Sequence, residues 1–130
     1  MITAREELQS FIDSLIGEQT KIKKVFLFSA SNALMLLSSQ IEIEQDVVKP
    51  EVIAAWLTRS NLPMLSNIGF GDIQSSTFKF LENTLHLCFI KPLEESLILL
   101  FVCDSSVVLS TIEQKYLPVF RKKFESLATT

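Results

Sequence analysis

Few side chains in this sequence could do chemistry. His86 is the only histidine in 130 residues, and it stands two positions before Cys88. On a strand, that spacing puts both side chains on one face. A metal centre needs three or four converging ligands. His86 and Cys88 supply two, and Cys103 adds a third only if an adjacent strand brings it into register. A cysteine nucleophile would want His86 beside it as a base and a carboxylate to orient that base. Both cysteines lie inside apolar runs, where thiols behave as small hydrophobes. The acidic residues Glu42, Glu44, Asp46, Glu94 and Glu95 read as solvated turns and connections. Gly17, Gly69 and Gly71 are the only glycines, so neither a GxxxxGKS/T loop nor a dinucleotide fingerprint is present. Gly69-Phe70-Gly71 reads as a helix stop. These residues point to a protein with no catalytic centre, no cofactor and no metal.

Charge narrows the choice further. Twelve basic residues against fifteen acidic ones give a net charge of −3, which offers no basic face to displace counterions from nucleic acid. The clusters Lys21/Lys23/Lys24 and Arg121/Lys122/Lys123 read as solvated flanks, at a strand start and a helix end. Two cysteines do not make a disulfide framework. The N-terminus MITAREELQ has no apolar signal core, and the longest apolar run, Leu97 to Cys103, falls far short of the ~20 residues that span a bilayer. The expectation is a cytoplasmic, soluble chain forming one domain over 1–130.

The elements that must carry these residues follow from periodicity. Residues 3–16 predict a helix, with Thr3 and Glu6 as a capping box, Leu8, Phe11, Ile12, Leu15 and Ile16 on one face, and Gly17 as the stop. Residues 23–30 and 33–38 predict a hairpin around Ser31-Asn32, and Ile41 and Ile43 could extend its second strand. Pro50 opens a second helix over 50–68. Its apolar arc through Val52, Ile53, Ala54, Ala55, Trp56 and Leu57 is too wide for a helix that only covers a sheet, so it is either wholly buried or shared with a partner. Residues 73–81 alternate, with Phe78 and Phe80 on one side and Ser75, Thr77 and Lys79 on the other. A turn at Glu82-Asn83 leads to a strand over 84–90, and 97–103 is apolar throughout, as a central strand must be. The last helix is expected to start at Ser110, capped with Glu113, to bury Ile112, Tyr116, Leu117, Phe120, Phe124 and Leu127, and to bend at Pro118. The order α-β-β-α-β-β-β-α describes an α+β domain with a five-stranded antiparallel sheet.

Two stretches carry a family resemblance. GFGDIQSSTFKFLENTLHLCFI, from Gly69 to Ile90, resembles the Roadblock family of dynein light-chain-related proteins, and LILLFVCDSSVVLSTIEQKYLPVF resembles its last strand, Asp turn and C-terminal helix. The element order agrees from about Leu8 to Leu127. The first hairpin, VFLFSASNALMLLSS, lacks the glycines frequent there in the family, and Ser110 stands near where a glycine is common.

The resemblance implies a sheet of order 2-1-5-4-3 with the second helix on one face and the terminal helices on the other. It implies a dimer, with itself or a Roadblock paralogue, made through the second helix and third strand. It implies a non-catalytic scaffold or regulator that binds a small Ras-like GTPase or joins an adaptor complex; the charge and the short apolar runs add the expectation of no nucleic acid and no membrane insertion. Carried onto this chain, the dimer or partner interface falls on Trp56, Leu57, Ser60 and Met64 of the helix and Ser75, Thr77 and Lys79 of the strand. Arg59 is the candidate for an arginine finger. Two other readings use a similar architecture: a monomeric profilin- or PAS-like ligand sensor with His86 as a polar anchor, and a longin-like trafficking adaptor without the second-helix dimer.

Overall fold

The strand Leu97–Asp104 is buried at every position before its last residue, as its unbroken apolar sequence requires. It lies in the middle of a five-stranded sheet. In the computed structural model the described residues are 4–30, 34–40, 49, 52, 53, 55, 56, 69, 70, 73–91 and 96–128. Within them the strands are β1 (Ile22–Ser29), β2 (Met35–Ser38), β3 (Ser75–Lys79), β4 (Asn83–Ile90) and β5 (Leu97–Asp104). The sheet order is β2-β1-β5-β4-β3 and every neighbouring pair is antiparallel. Class, order and direction of pairing are those expected.

Two helices flank the sheet among the described residues, one fewer than expected. The first, α1, is Ala4–Ser14. The second, α2, runs continuously over 109–128 as Leu109–Thr111, a π turn at Ile112–Tyr116, and Leu117–Ala128. Of the anticipated middle helix over 50–68, Val52, Ile53, Ala55 and Trp56 have helical conformation, and all the rest lies outside the described residues.

Alternation along the strands divides the apolar side chains into two layers. On one face Val25, Leu27, Leu99, Phe101 and Cys103 pack beneath Leu8, Ile12 and Leu15 of α1 and Ile112, Tyr116, Phe120 and Phe124 of α2. On the other face Phe26, Phe28, Leu85, Leu87, Leu100 and Val102 pack with Ile53, and the half-buried Trp56 and Phe78 close the layer. The terminal helices therefore share one face, and Ile53 and Trp56 lie on the opposite one, as the resemblance implied.

Several local expectations are corrected. Helix α2 starts one residue before Ser110: Val108 is its N-cap and makes no side-chain cap bond, so the Ser110–Glu113 box does not form. The chain enters instead through Asp104, whose Oδ1 accepts hydrogen bonds from the Ser106 backbone N–H at 3.0 Å and the Ser106 hydroxyl at 2.9 Å. These bonds hold the Asp104 carboxyl below its usual range. Pro118 is accommodated by the π turn immediately before it, where the Leu117 N–H reaches back to Ile112 O. A proline ring crowds the carbonyl four residues earlier and offers it no donor, and a widened turn relieves both. Helix α1 ends at Ser14, two residues before the expected Ile16, and Gly17 forms a bridge to Ile22. Strand β3 is shorter than 73–81, because Phe80 donates to Asn83 O at 2.8 Å and closes the turn on Leu81-Glu82. Gly69 has φ +93, a left-handed conformation that favours glycine; the residues before it, where the helix stop was expected, lie outside the described residues.

Lys24 also departs from its reading as a solvated flank. It is 6% exposed, with Nζ donating to Ser39 O at 2.5 Å and lying 5.8 Å from the Phe26 ring centre. Buried ammonium groups persist only with such partners. Arg121, Lys122 and Lys123 lie inside α2 rather than at its end, and Lys123 Nζ sits 5.3 Å from the Phe11 ring.

Phe120 joins the helices to the sheet. It is fully buried, edge-on to Phe11 of α1 at 4.9 Å and to Phe101 of β5 at 6.0 Å. Phe120→Ala is expected to lower unfolding stability by about 3–5 kcal/mol, read as a reduced urea midpoint with an unchanged denaturant slope.

Candidate protein interaction edge

Strand β3 is the last strand on its side of the sheet. Its pairing with β4 is regular, from Ser75↔Cys88 to Lys79↔Thr84. Just beyond its ends, Phe89 N–H donates to Gln74 O at 2.9 Å, and Phe80 N–H donates to Asn83 O at 2.8 Å. In an antiparallel ladder such bonded positions alternate with positions whose backbone groups point the other way. Gln74, Ser76, Phe78 and Phe80 therefore face β4, and the N–H and C=O groups of Ser75, Thr77 and Lys79 face outward. Among the described residues nothing pairs with them. An open row of this kind is a template for another strand.

The side chains at this edge belong to both faces. Trp56 lies edge-on to Phe78, ring centres 5.1 Å apart, on the face away from the terminal helices. Ser75, Thr77 and Lys79 project to the terminal-helix face, because they stand opposite Cys88, His86 and Thr84. The residues grouped from the sequence thus divide across the sheet and converge only along the β3 edge. Leu57, Arg59, Ser60 and Met64 lie outside the described residues. The turn after β3 was missed as a surface feature: Phe80 is 60% exposed and Leu81 99% exposed. Alternation alone placed Phe80 with Phe78 and gave no sign that the strand stops before it.

His86 is built into the fold rather than offered to a ligand. It is 1% exposed, with Nε2 2.8 Å from Val107 O and Nδ1 2.9 Å from Thr77 Oγ1. A carbonyl can only accept, so Nε2 donates its proton to Val107 O; in the neutral ring Nδ1 then accepts from the Thr77 hydroxyl. This ties the edge strand, through β4, to the start of α2. Cys88 and Cys103 are buried, and burial pushes both thiols up to about 12. Among the described residues no three His, Cys, Asp or Glu side chains gather as a metal site. A surface cleft of about 150 Å³ lies at the far end of β4, lined by Ile90, Lys91, Arg121 and Glu125. It is smaller than the ~300–1,000 Å³ usual for small-molecule sites. No helix among the described residues is long and apolar enough to cross a membrane.

No protein-family model and no curated protein sequence matches this chain. Solved structures do. MglB of Myxococcus xanthus is 14% identical over 95% of this chain and 93% of its own, with a TM-score of 0.66. The gliding protein MglB of Thermus thermophilus is 13% identical over 99% and 92%, with a TM-score of 0.65. A Roadblock/LC7 domain of Streptomyces avermitilis is 15% identical over 95% and 97%, with a TM-score of 0.62. The fold of this chain is Roadblock-like.

Two outcomes follow from the buried groups. Thr77→Val removes the hydroxyl that meets His86 Nδ1 and is expected to cost about 1 kcal/mol. The Nε2–H tautomer should persist in the ring-nitrogen chemical shifts. Both thiols should resist a thiol reagent in the folded protein at pH 8, where roughly one in ten thousand is ionised, and react on unfolding. Because their folded values lie above the ordinary 9.0, the stability they contribute is intact below pH 9 and lost as pH rises toward about 12. A Cys88→Ala/Cys103→Ala variant should show a shallower alkaline loss than the parent protein.

Proposed function

We propose that this Roadblock-like chain is a non-catalytic dimeric scaffold or regulator that binds a small Ras-like GTPase or joins an adaptor complex. The observation that carries the reading is the edge of β3: Ser75, Thr77 and Lys79 turn outward backbone groups that nothing among the described residues pairs with, beside the half-buried Trp56–Phe78 pair. A second copy, or a Roadblock paralogue, completes that edge and extends the sheet to ten strands. Trp56 then adds buried aromatic area, with Leu57, Arg59, Ser60 and Met64 as further candidate contacts and Lys79 at the polar rim. One related structure, at 14% identity and a TM-score of 0.67, is of MglB with a tetrameric arrangement, which supports self-association for this chain.

The absence of a catalytic role is consistent with how the reactive groups are used. His86 spends both nitrogens on Thr77 and Val107, and the thiols are buried and protonated. Nucleotide chemistry is left to the partner, and the protein contributes binding energy and orientation. It works through the surface that two copies make together.

Light scattering over a concentration series tests the assembly. The expected mass is about twice the 14.7 kDa of one chain, and Trp56→Glu is expected to return it toward the monomer with an unchanged circular dichroism spectrum. A parent protein that stays monomeric, with a folded Trp56→Glu variant of the same mass, removes the dimer and favours the ligand-sensor or longin-like alternative. A pull-down with small Ras-like GTPases loaded with GDP or GTP tests the partner: retention in one nucleotide state supports regulation, retention in both supports tethering.

A further inference from the structure

Helix α1 carries two stripes with different partners. Leu8, Ile12 and Leu15 are buried against the sheet. Arg5, Gln9 and Asp13, four residues apart, run along the flank of the helix and reach the outer edge of β2. Arg5 Nη2 donates to Leu36 O at 3.1 Å, and Gln9 Nε2 donates to Ser38 O at 2.9 Å. Asp13 Oδ1 accepts from the Gln40 N–H at 2.8 Å, and both Asp13 oxygens accept from Gln9 Nε2 at 3.3 Å. Position 39 faces β1, since the Ser39 N–H donates to Val25 O at 2.9 Å. The backbone groups of the alternate positions 36, 38 and 40 therefore point away from the sheet, and these are the groups that α1 meets.

The fit rests on matching periods. Four helical residues rise about 6 Å, and two strand residues rise about 6.6–6.8 Å. A helix parallel to β2 thus meets one outward position per step: 5 with 36, 9 with 38, 13 with 40. The chemistry alternates correctly as well, with donors set on the two carbonyls and a carboxylate on the N–H.

The edge beneath this row is of a kind that attracts strands. From Ser29 to Ile41 the sequence holds no charged residue, and β2 itself reads Met-Leu-Leu-Ser. Uncharged apolar edges pair with other strands unless a charge, a proline or a covering element prevents it. Among the described residues no strand lies beyond β2, and α1 is the covering element. Its hold on the edge is through side chains, so cutting them leaves the strand itself in place.

We propose that Arg5, Gln9 and Asp13 form a lock that closes β2 to strand addition, and that β2 with the lock cut pairs with β2 of a second copy. A second copy fits because each offers the same uncharged edge, so two meet antiparallel about a two-fold axis with no like charges opposed. The lock makes sheet extension one-sided. A chain that pairs through β3 and also through an unlocked β2 has two self-pairing edges, and it grows into an open row instead of stopping at two.

The variant Arg5→Ala/Gln9→Ala/Asp13→Ala cuts the lock and leaves the apolar stripe of α1 intact. Its sedimentation mass is expected to climb with concentration to at least twice that of the parent protein, with the parent's circular dichroism spectrum. Adding Met35→Lys, at a 39% exposed position of β2, sets an ammonium on each copy's edge and should return the mass to the parent's. A folded triple variant with the parent's mass at every concentration overturns the lock. So does a mass increase that Met35→Lys leaves unchanged, because the new contact then lies elsewhere. If the triple variant does not fold, Arg5→Ala/Gln9→Ala, which keeps the Asp13–Gln40 bond, is read by the same two measurements. Each variant is compared with the parent's own mass, so a monomeric parent removes the β3 dimer and leaves the lock to be decided by the variants.

Discussion

The whole arrangement depends on β5 being dry on both faces. Leu97 through Cys103 bury seven consecutive side chains, alternately upward and downward, so neither face of the sheet can be left to water. One layer of helix is not enough. The terminal helices close one face with Ile12, Ile112 and Phe120, and Ile53 and Trp56 serve the other. Covering the centre from above and below pushes exposure outward to the sheet edges: at β2 the Leu36 and Ser38 carbonyls accept hydrogen bonds from Arg5 and Gln9 of α1, whereas at β3 no such partner stands among the described residues. The open edge at β3 is the lateral counterpart of the closed faces.

Much of this was legible in the residues. LILLFVC reads as a central strand because no polar residue interrupts it. The stripe Leu8, Ile12, Leu15 reads as a helix that lies on a sheet. Strand order does not follow from such patterns, and came from the likeness of two stretches to a known family. His86 shows where local reading stops. Its partners are Thr77, set by where the hairpin turns, and Val107, set by how α2 approaches. Placing the turn on Glu82-Asn83 instead of Leu81-Glu82 changes every cross-strand neighbour, so the histidine's surroundings could not be named. Lys24 is similar: the Ser39 carbonyl that holds it belongs to the chain beyond the next strand. The candidate edge was half legible. Ser75, Thr77 and Lys79 could be read as one polar face, but that their backbones point outward depends on the pairing of β3 with β4.

The relation between the interaction edge and the interior is short. Thr77 belongs to the edge through its backbone and to the interior through its hydroxyl, which His86 receives. His86 in turn fixes the carbonyl of Val107, one residue before the cap of α2. Three elements meet through one imidazole, so the position of the edge strand and the approach of the last helix are set together.

The π turn in α2 has a geometric consequence for that helix. Ile112, Tyr116, Phe120 and Phe124, all buried, are spaced by four. At 3.6 residues per turn each step overshoots a full rotation by about 40°, so over three steps a uniform helix would carry its contact line around to the side. The wide turn from Ile112 to Tyr116 needs more than four residues to close, so that first step undershoots and the drift of the later ones is partly cancelled. One irregular turn thus acts as a phase correction. It lets a long helix keep Ile112 and Phe124 on the same sheet, with both of its ends seated.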